Sequence, residues 1–397
     1  MPIVYTPMVG LATQNFSHVF QRGRGVWITP DCRGRVAEVL ANASVGRDIE
    51  LIVATDNESI LGIGDQGAGG MAISTGKLAL YVVGAGIDPA STLPVSLDVG
   101  TDNKALLDDP MYIGWRQPRL RGAEYDALVD EFVGAVASEF PGALPQWEDF
   151  RKDTAQNLLA YHRENILSFN DDIQGTGAVA LAGINSAMRI LGASLADQRI
   201  LIFGAGAAGL GIARQIKAGL SLLGLDEVSS KKRLAVMDSR GLLIDDKKFD
   251  DSYKTELAWP AALAREQGLV GESGRTLMDV IERYRPTVLI GASGQPCSFT
   301  EPVIRALARH VERPVVMPFS NPTLTTRRLC RLTFSSGPMA ERWLRTGVRS
   351  HRSKSVVDAS RLDKATTCSF SLGLGSERSP HKAGASPMRW LPLLRRR

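Results

Sequence analysis

What the chain lacks narrows its function first. No run of about 18 consecutive apolar residues occurs in its 397 positions, so no membrane-spanning helix is expected. The opening MPIVYTPMVG has no basic stretch leading into an apolar core, so no secretory signal is expected. Only four cysteines occur, Cys32, Cys297, Cys330 and Cys368, and none stands in a CxxC pair. That spacing suits the reducing cytoplasm better than a disulfide framework. An evenly basic surface is missing too. The net charge of +5 is concentrated in residues 324–397, where 13 Arg and 3 Lys meet 2 Asp and 2 Glu, a net +12. Residues 1–323 therefore carry −7. No stacking or groove-reading motif accompanies the basic stretch, so no nucleic-acid partner is expected.

What is present is a globular composition, 44% hydrophobic and 22% charged, in a chain long enough for two domains. Two acidic pairs stand out, 23 positions apart: Glu148-Asp149 within QWEDF and Asp171-Asp172 within SFNDDIQGTG. Trp147, Phe150, Phe169 and Ile173 bracket them. Carboxylates among apolar residues are costly to bury unless positive charge offsets them, and a hard cation such as Mg²⁺ or Mn²⁺ does this with oxygen ligands. Solvated loop acids and helix caps are the plainer reading of the same residues.

Before these pairs the chain alternates strands and helices. VWIT (26–29), IELIVA (49–54) and TLPVSLDV (92–99) read as strands. The glycine-dense ILGIGDQGAGG (60–70) leads into a helical MAISTGKLALYVV. There Lys77 lies four residues after Ile73 and four before Tyr81, on the apolar stripe. A lysine at such a position either snorkels outward or is desolvated, with a lowered pKa suited to a general base. Leu120–Ala137 reads as an amphipathic helix.

After the second acidic pair, Ile200–Phe203 reads as a strand and Leu210–Leu223 as a helix. Between them Gly204, Ala205, Gly206, Ala207, Ala208 and Gly209 match GxGxxG. Strand, glycine turn and helix in that order form a dinucleotide-binding fingerprint, in which free N–H groups at a helix start face a pyrophosphate. The next strand, Leu234–Met237, ends at Asp238, an acid placed to bind adenosine ribose hydroxyls and to repel the extra phosphate of NADP. Gly224–Arg233 reads as an insertion before it. Thr287–Ile290 and Val315–Met317 read as two further strands.

The motifs YTPMVG, GIGDQGAGG, GKLALY, LPVSLDVGTDN, WEDF, FNDDIQGT, GAGAAG and SNPT follow one another as they do in malic enzymes. The chain resembles that family, the NAD-dependent members above all, over residues 1–323; malolactic enzymes are close relatives. The resemblance implies an α/β fold in which a Rossmann-like, doubly wound NAD-binding domain (174–323) follows an α/β catalytic domain (1–173). It implies oxidative decarboxylation of (S)-malate to pyruvate and CO₂ with NAD and Mn²⁺ or Mg²⁺, in a homo-oligomer. By the same resemblance Lys77 is the general base, with a pKa lowered by its setting, and Tyr5 the general acid. Glu148, Asp149 and Asp172 are metal ligands, Asp171 is an acidic neighbour of the lysine, and Asn321 contacts substrate. Ser59 stands where family members commonly carry a carboxylate-binding arginine; malolactic enzymes also have a small residue there. A malolactic reaction with bound NAD, or a non-catalytic NAD-binding protein, are the alternatives. The helical segment that precedes YTP in the family and its Gly-Asn-Asn segment are expected to be missing. Residues 324–397 are expected to be a frameshifted or disordered basic tail.

Overall fold

The computed structural model describes residues 4–319, except 6, 61, 250, 270, 272–274, 294 and 296–297, together with 357 and 358. Asn321 and nearly all of the basic stretch 324–397 lie outside the described residues, and the expectations for them with it. The chain divides into two compact units between Asp171 and Asp172.

The first unit holds a five-stranded, all-parallel sheet of β1 (Val26–Ile28), β2 (Leu51–Thr55), β3 (Thr92–Leu97), β4 (Leu144–Trp147) and β5 (Phe169–Asn170) in the order β1-β3-β2-β4-β5. β2 and β3 are buried along their whole length, which is why LIVAT and TLPVSL read as near-continuous runs rather than alternating ones. The helix Met71–Ala85 connects β2 to β3, and Leu78 and Tyr81 on it pack on Leu51 and Val53. Gly86, in the left-handed region with φ 69°, ends that helix. Chain order reverses around β2, with β3 on one side and β4 on the other. Such a reversal leaves a crevice at the carboxyl ends of the strands.

Just past β2 sits Asp56, 1% exposed. Tyr125 donates its hydroxyl to Asp56 Oδ2 at 2.8 Å, and the Glu58 N–H reaches Oδ1 at 3.1 Å. Burial pushes this carboxyl up to about 6, against the opposing pull of Arg119 and Tyr125. A folded pKa above the unfolded one means that this group's contribution is most favourable below about pH 4 and is lost as pH rises through 6. The shift corresponds to roughly 3 kcal/mol. Asp56→Asn should therefore flatten the loss of stability between pH 4 and 7, read by urea unfolding at each pH. An unchanged slope would mean that Asp56 is ionised in the fold across that range.

The second unit carries a six-stranded sheet of β6 (Ile200–Phe203), β7 (Leu234–Asp238), β8 (Gly241–Leu242), β9 (Val288–Gly291), β10 (Val315–Pro318) and β11 (Val357–Asp358), ordered β11-β10-β9-β6-β7-β8. All pairs are parallel except β7 with β8. The helices Thr176–Leu191 and Ala207–Leu222 pack together; an added Cβ on Gly177 would lie 2.5 Å from the Gly211 carbonyl oxygen. Leu201, Met237, Trp259, Ile281 and Leu289 share the core on one side of the sheet. The stretch read as an insertion is mostly a helix, Glu227–Arg233, capped by Asp226. The fold is therefore α/β, with a Rossmann-like second unit.

Candidate functional site

Sheet register decides where the acids of the first unit go. β4 pairs with β5 so that Trp147 lies opposite Asn170. The residues after them, Glu148 and Asp171, leave the sheet as neighbours at its carboxyl edge. Lys77 meets both from the helix Met71–Ala85: its Nζ lies 2.7 Å from Asp171 Oδ2 and 2.8 Å from Glu148 Oε1. The lysine is 7% exposed and does not snorkel. Glu148, Asp149 and Asp171 are buried with it. Asp149 follows in the left-handed region, φ 57°, and its carbonyl accepts the Ser59 N–H at 3.1 Å. A non-glycine residue held there stores backbone strain, a feature common at functional sites.

Tyr5 closes the group. Its hydroxyl donates to Glu148 Oε1 at 3.1 Å, and Lys77 Nζ lies 5.2 Å from its ring centroid. The approach depends on Gly76, where an added Cβ would sit 2.9 Å from Val9 Cγ2 and 3.1 Å from Tyr5 Cδ2. Burial pushes the Tyr5 hydroxyl well above the ordinary tyrosine range; Lys77 opposes this, and Glu148, Asp149 and Asp171 reinforce it. At neutral pH Tyr5 is a protonated phenol, the state a proton donor needs.

Lys77 departs from expectation in one respect. Burial pushes its ammonium down, but Asp171 and Glu148 outweigh burial and hold it well above the ordinary lysine range. Two carboxylates in contact with one ammonium in a dry site stabilise the charged form more than desolvation destabilises it. The lowered pKa read from the sequence is thus not a property of these protein groups by themselves.

In the second unit, the residues before the glycine turn end β6 at the point where the sheet order reverses between β7 and β9. Gly204 has φ 128°, and an added Cβ would lie 2.4 Å from the Ala292 carbonyl carbon. One on Gly209 would lie 1.9 Å from the Gly204 carbonyl oxygen. One on Gly206 would meet nothing within 4 Å. Gly204 and Gly209 thus fold the turn, whereas Gly206 leaves room beside it. The helix that begins at Ala207, with Ala208 in its first turn and Ala205 buried before it, presents its free N–H end there. Asp238 ends β7, its Oδ1 accepting the Arg240 N–H at 2.8 Å and its Oδ2 pairing with Lys254 Nζ at 2.8 Å. Nothing in the sequence suggested that lysine. Asp172 belongs to this unit and is half-buried in a π-helical turn, Asp171–Gly175. Among the described residues, no three His, Cys, Asp or Glu side chains form a ready-made metal cage.

Residues 1–163 match the family described as malic enzyme, N-terminal domain, and residues 173–331 match malic enzyme, NAD binding domain. The chain belongs to the malic enzyme family. The NAD-dependent malic enzyme of Acinetobacter baylyi is 47% identical over 323 residues, 81% of this chain and 57% of that one. The NAD-dependent malic enzyme of Sodalis glossinidius is 46% identical over the same shares. The chain thus spans a little over half the length of the curated malic enzymes it matches. Among solved structures, the malic enzyme of Entamoeba histolytica aligns with a TM-score of 0.51 at 23% identity, over 81% of this chain and 55% of that one. The NAD-dependent malic enzyme of Thermotoga maritima also gives 0.51, at 20% identity, over 83% of this chain and 71% of that one. At these identities the two structures bear on the fold alone.

Two polar contacts of the first unit escaped the sequence reading. Asp65 of GIGD accepts Thr101 Oγ1 at 2.8 Å, the Asp102 N–H at 2.9 Å, and Arg119 Nε and Nη2 at 3.1 and 2.7 Å. It ties the GIGD loop to the VGTDN loop, a pairing that neither motif announces. The other is Gln146, whose partner Glu148 lies two residues along the same strand face. The available signal was a glutamine standing two positions before the acid in LPQWEDF.

Proposed function

We propose that this chain oxidises and decarboxylates (S)-malate to pyruvate and CO₂, with NAD as hydride acceptor and Mn²⁺ or Mg²⁺ as the metal. The observation that carries this reading is Lys77, buried between Asp171 and Glu148 with the Tyr5 hydroxyl alongside. The donor chemistry suits a hard divalent cation: Glu148 and Asp149 offer buried carboxylate oxygens, the ligand type such a cation takes. Glu148 and Asp149 would hold the metal, and the family motif assigns Asp172 as a further ligand. When bound, a divalent cation would supply positive charge that offsets charge developing on the C2 oxygen and disfavours the charged form of Lys77 nearby.

The remaining roles fall to the chain's own groups. In its neutral form Lys77 Nζ takes the C2 hydroxyl proton, and Asp171 at 2.7 Å keeps that amine oriented. The Tyr5 phenol, held protonated by burial, delivers a proton to C3 of the enol that forms as CO₂ leaves. Asn321 is assigned to substrate contact by the family motif SNPT. The free N–H groups at the start of the helix Ala207–Leu222 receive the pyrophosphate of NAD, and Gly206 gives it room. Asp238 takes the ribose hydroxyls, and Lys254 tempers its repulsion of a 2′-phosphate. Assembly as a homo-oligomer in the cytoplasm belongs to the same reading. Among the described residues no helix is long and apolar enough to cross a membrane.

The test is full-length chain with malate, NAD and Mn²⁺, following NADH and pyruvate together. Equal amounts of both are expected, with a higher kcat/KM for NAD than for NADP. Lactate without NADH would replace this reading by the malolactic one. NAD binding without turnover would reduce the chain to a binding protein.

A further inference from the structure

Glu148 is held on both of its oxygens. Oε1 takes Lys77 Nζ and the Tyr5 hydroxyl. Oε2 takes Gln146 Nε2 at 2.6 Å. Gln146 is in turn held by Tyr81, whose hydroxyl donates to Gln146 Oε1. All three residues are at most 3% exposed, so water does not substitute for these bonds.

Two periodicities build the arrangement. Gln146 and Glu148 stand two residues apart where β4 ends, on one face of the strand. Lys77 and Tyr81 stand four apart on one face of the helix Met71–Ala85. The two faces meet, so the lysine reaches the glutamate and the tyrosine reaches the glutamine. The amide can point only one way. A carboxylate accepts and does not donate, so Nε2 must face Glu148 and Oε1 must face the tyrosine O–H. The Tyr81 ring is locked among Leu51, Val53, Leu78 and Ile87, which fixes the far end of the chain.

We propose that Gln146, braced by Tyr81, is a positioning residue that fixes the Glu148 carboxylate for the divalent cation. This rests on the reading of Glu148 as a metal ligand. A ligand whose second oxygen is already anchored loses little freedom on binding metal, and outer partners of this kind set metal affinity. Buried polar chains also couple their members, so removing one end loosens the other.

The experiment is Mn²⁺ titration of the full chain, with free Mn²⁺ read by electron paramagnetic resonance. NAD affinity and thermal midpoint are measured alongside. Gln146→Met keeps side-chain length without the amide and should weaken Mn²⁺ binding by about 10- to 100-fold. Tyr81→Phe removes one hydroxyl and should weaken it about fivefold. NAD affinity should stay unchanged in both. The double variant should bind Mn²⁺ no more weakly than Gln146→Met alone, because Tyr81 acts through Gln146. Ile28→Ala removes a buried side chain from the edge strand β1, outside the cluster that holds Tyr81, and should lower stability while leaving Mn²⁺ affinity intact. Equal Mn²⁺ affinity in wild type and Gln146→Met overturns the proposal. So does additive loss in the double variant, or equal loss in Ile28→Ala. A wild-type chain that binds no Mn²⁺ overturns instead the metal-site reading beneath it.

Discussion

Lys77→Ala should lower the rate of malate oxidation by about 10³-fold or more, within the range of lost acid–base catalysis. NAD affinity should be unchanged, since the glycine turn belongs to the other compact unit. The variant should also be less stable. Lys77 contacts both Asp171 and Glu148 in a buried site, and removing one partner of such a pair costs about 3–5 kcal/mol because the remaining charge is left uncompensated. Acid should restore part of that loss, since a protonated carboxyl needs no counter-charge. Lys77→Arg separates the two effects. Arginine keeps the charge and cannot give up its proton, so stability should largely return while turnover stays lost. In the unmodified chain the folded pKa of Lys77 is raised above 10.5, so its ion pairs contribute fully below that pH and fail only as pH climbs through the raised value. Substantial malate oxidation by Lys77→Arg would remove the lysine from the base role.

The second large effect is expected at the glycine turn, where two neighbouring glycines should fail differently. Gly209→Ala puts a Cβ at 1.9 Å from the Gly204 carbonyl oxygen, a backbone atom that cannot swing aside. A clash of this kind should cost roughly 3 kcal/mol or more and lower the thermal midpoint. Gly206→Ala meets nothing within 4 Å, and its φ of −85° suits alanine. That variant should fold as well as wild type, yet bind NAD at least about tenfold more weakly, because the methyl group occupies the room left for the pyrophosphate. Calorimetric NAD titration beside a thermal melt distinguishes the two. Unchanged NAD affinity in Gly206→Ala would place the pyrophosphate elsewhere.

The elements that local pattern specifies were legible in the sequence. Ile200–Phe203 is a strand in both readings, since an apolar run before a glycine turn admits little else. Lys77 faces inward because a helix of 3.6 residues per turn puts it on the stripe of Ile73 and Tyr81. The turn from Gly204 to Gly209 follows from positive φ and close approach, which glycine alone tolerates. The acidic motifs could be recognised, but β4 and β5, four and two residues long, are too short to show a period.

What remained was decided by partners distant along the chain. The ammonium of Lys77 is held up rather than down by Glu148 and by Asp171, 94 residues away, and no spacing rule carries the sign of that sum. Asp238 was read as a bare ribose acceptor, while its pairing with Lys254 depends on where the helix Ser252–Leu257 docks. Gln146 gains its role only because Tyr81, 65 residues earlier, arrives opposite it. The sequence by itself determined which residues face inward and where the backbone turns, since those are short-range steric facts. The tertiary structure alone decided which buried charges and dipoles meet. Electrostatic energies in a dry interior depend on separations of a few ångströms, set by packing.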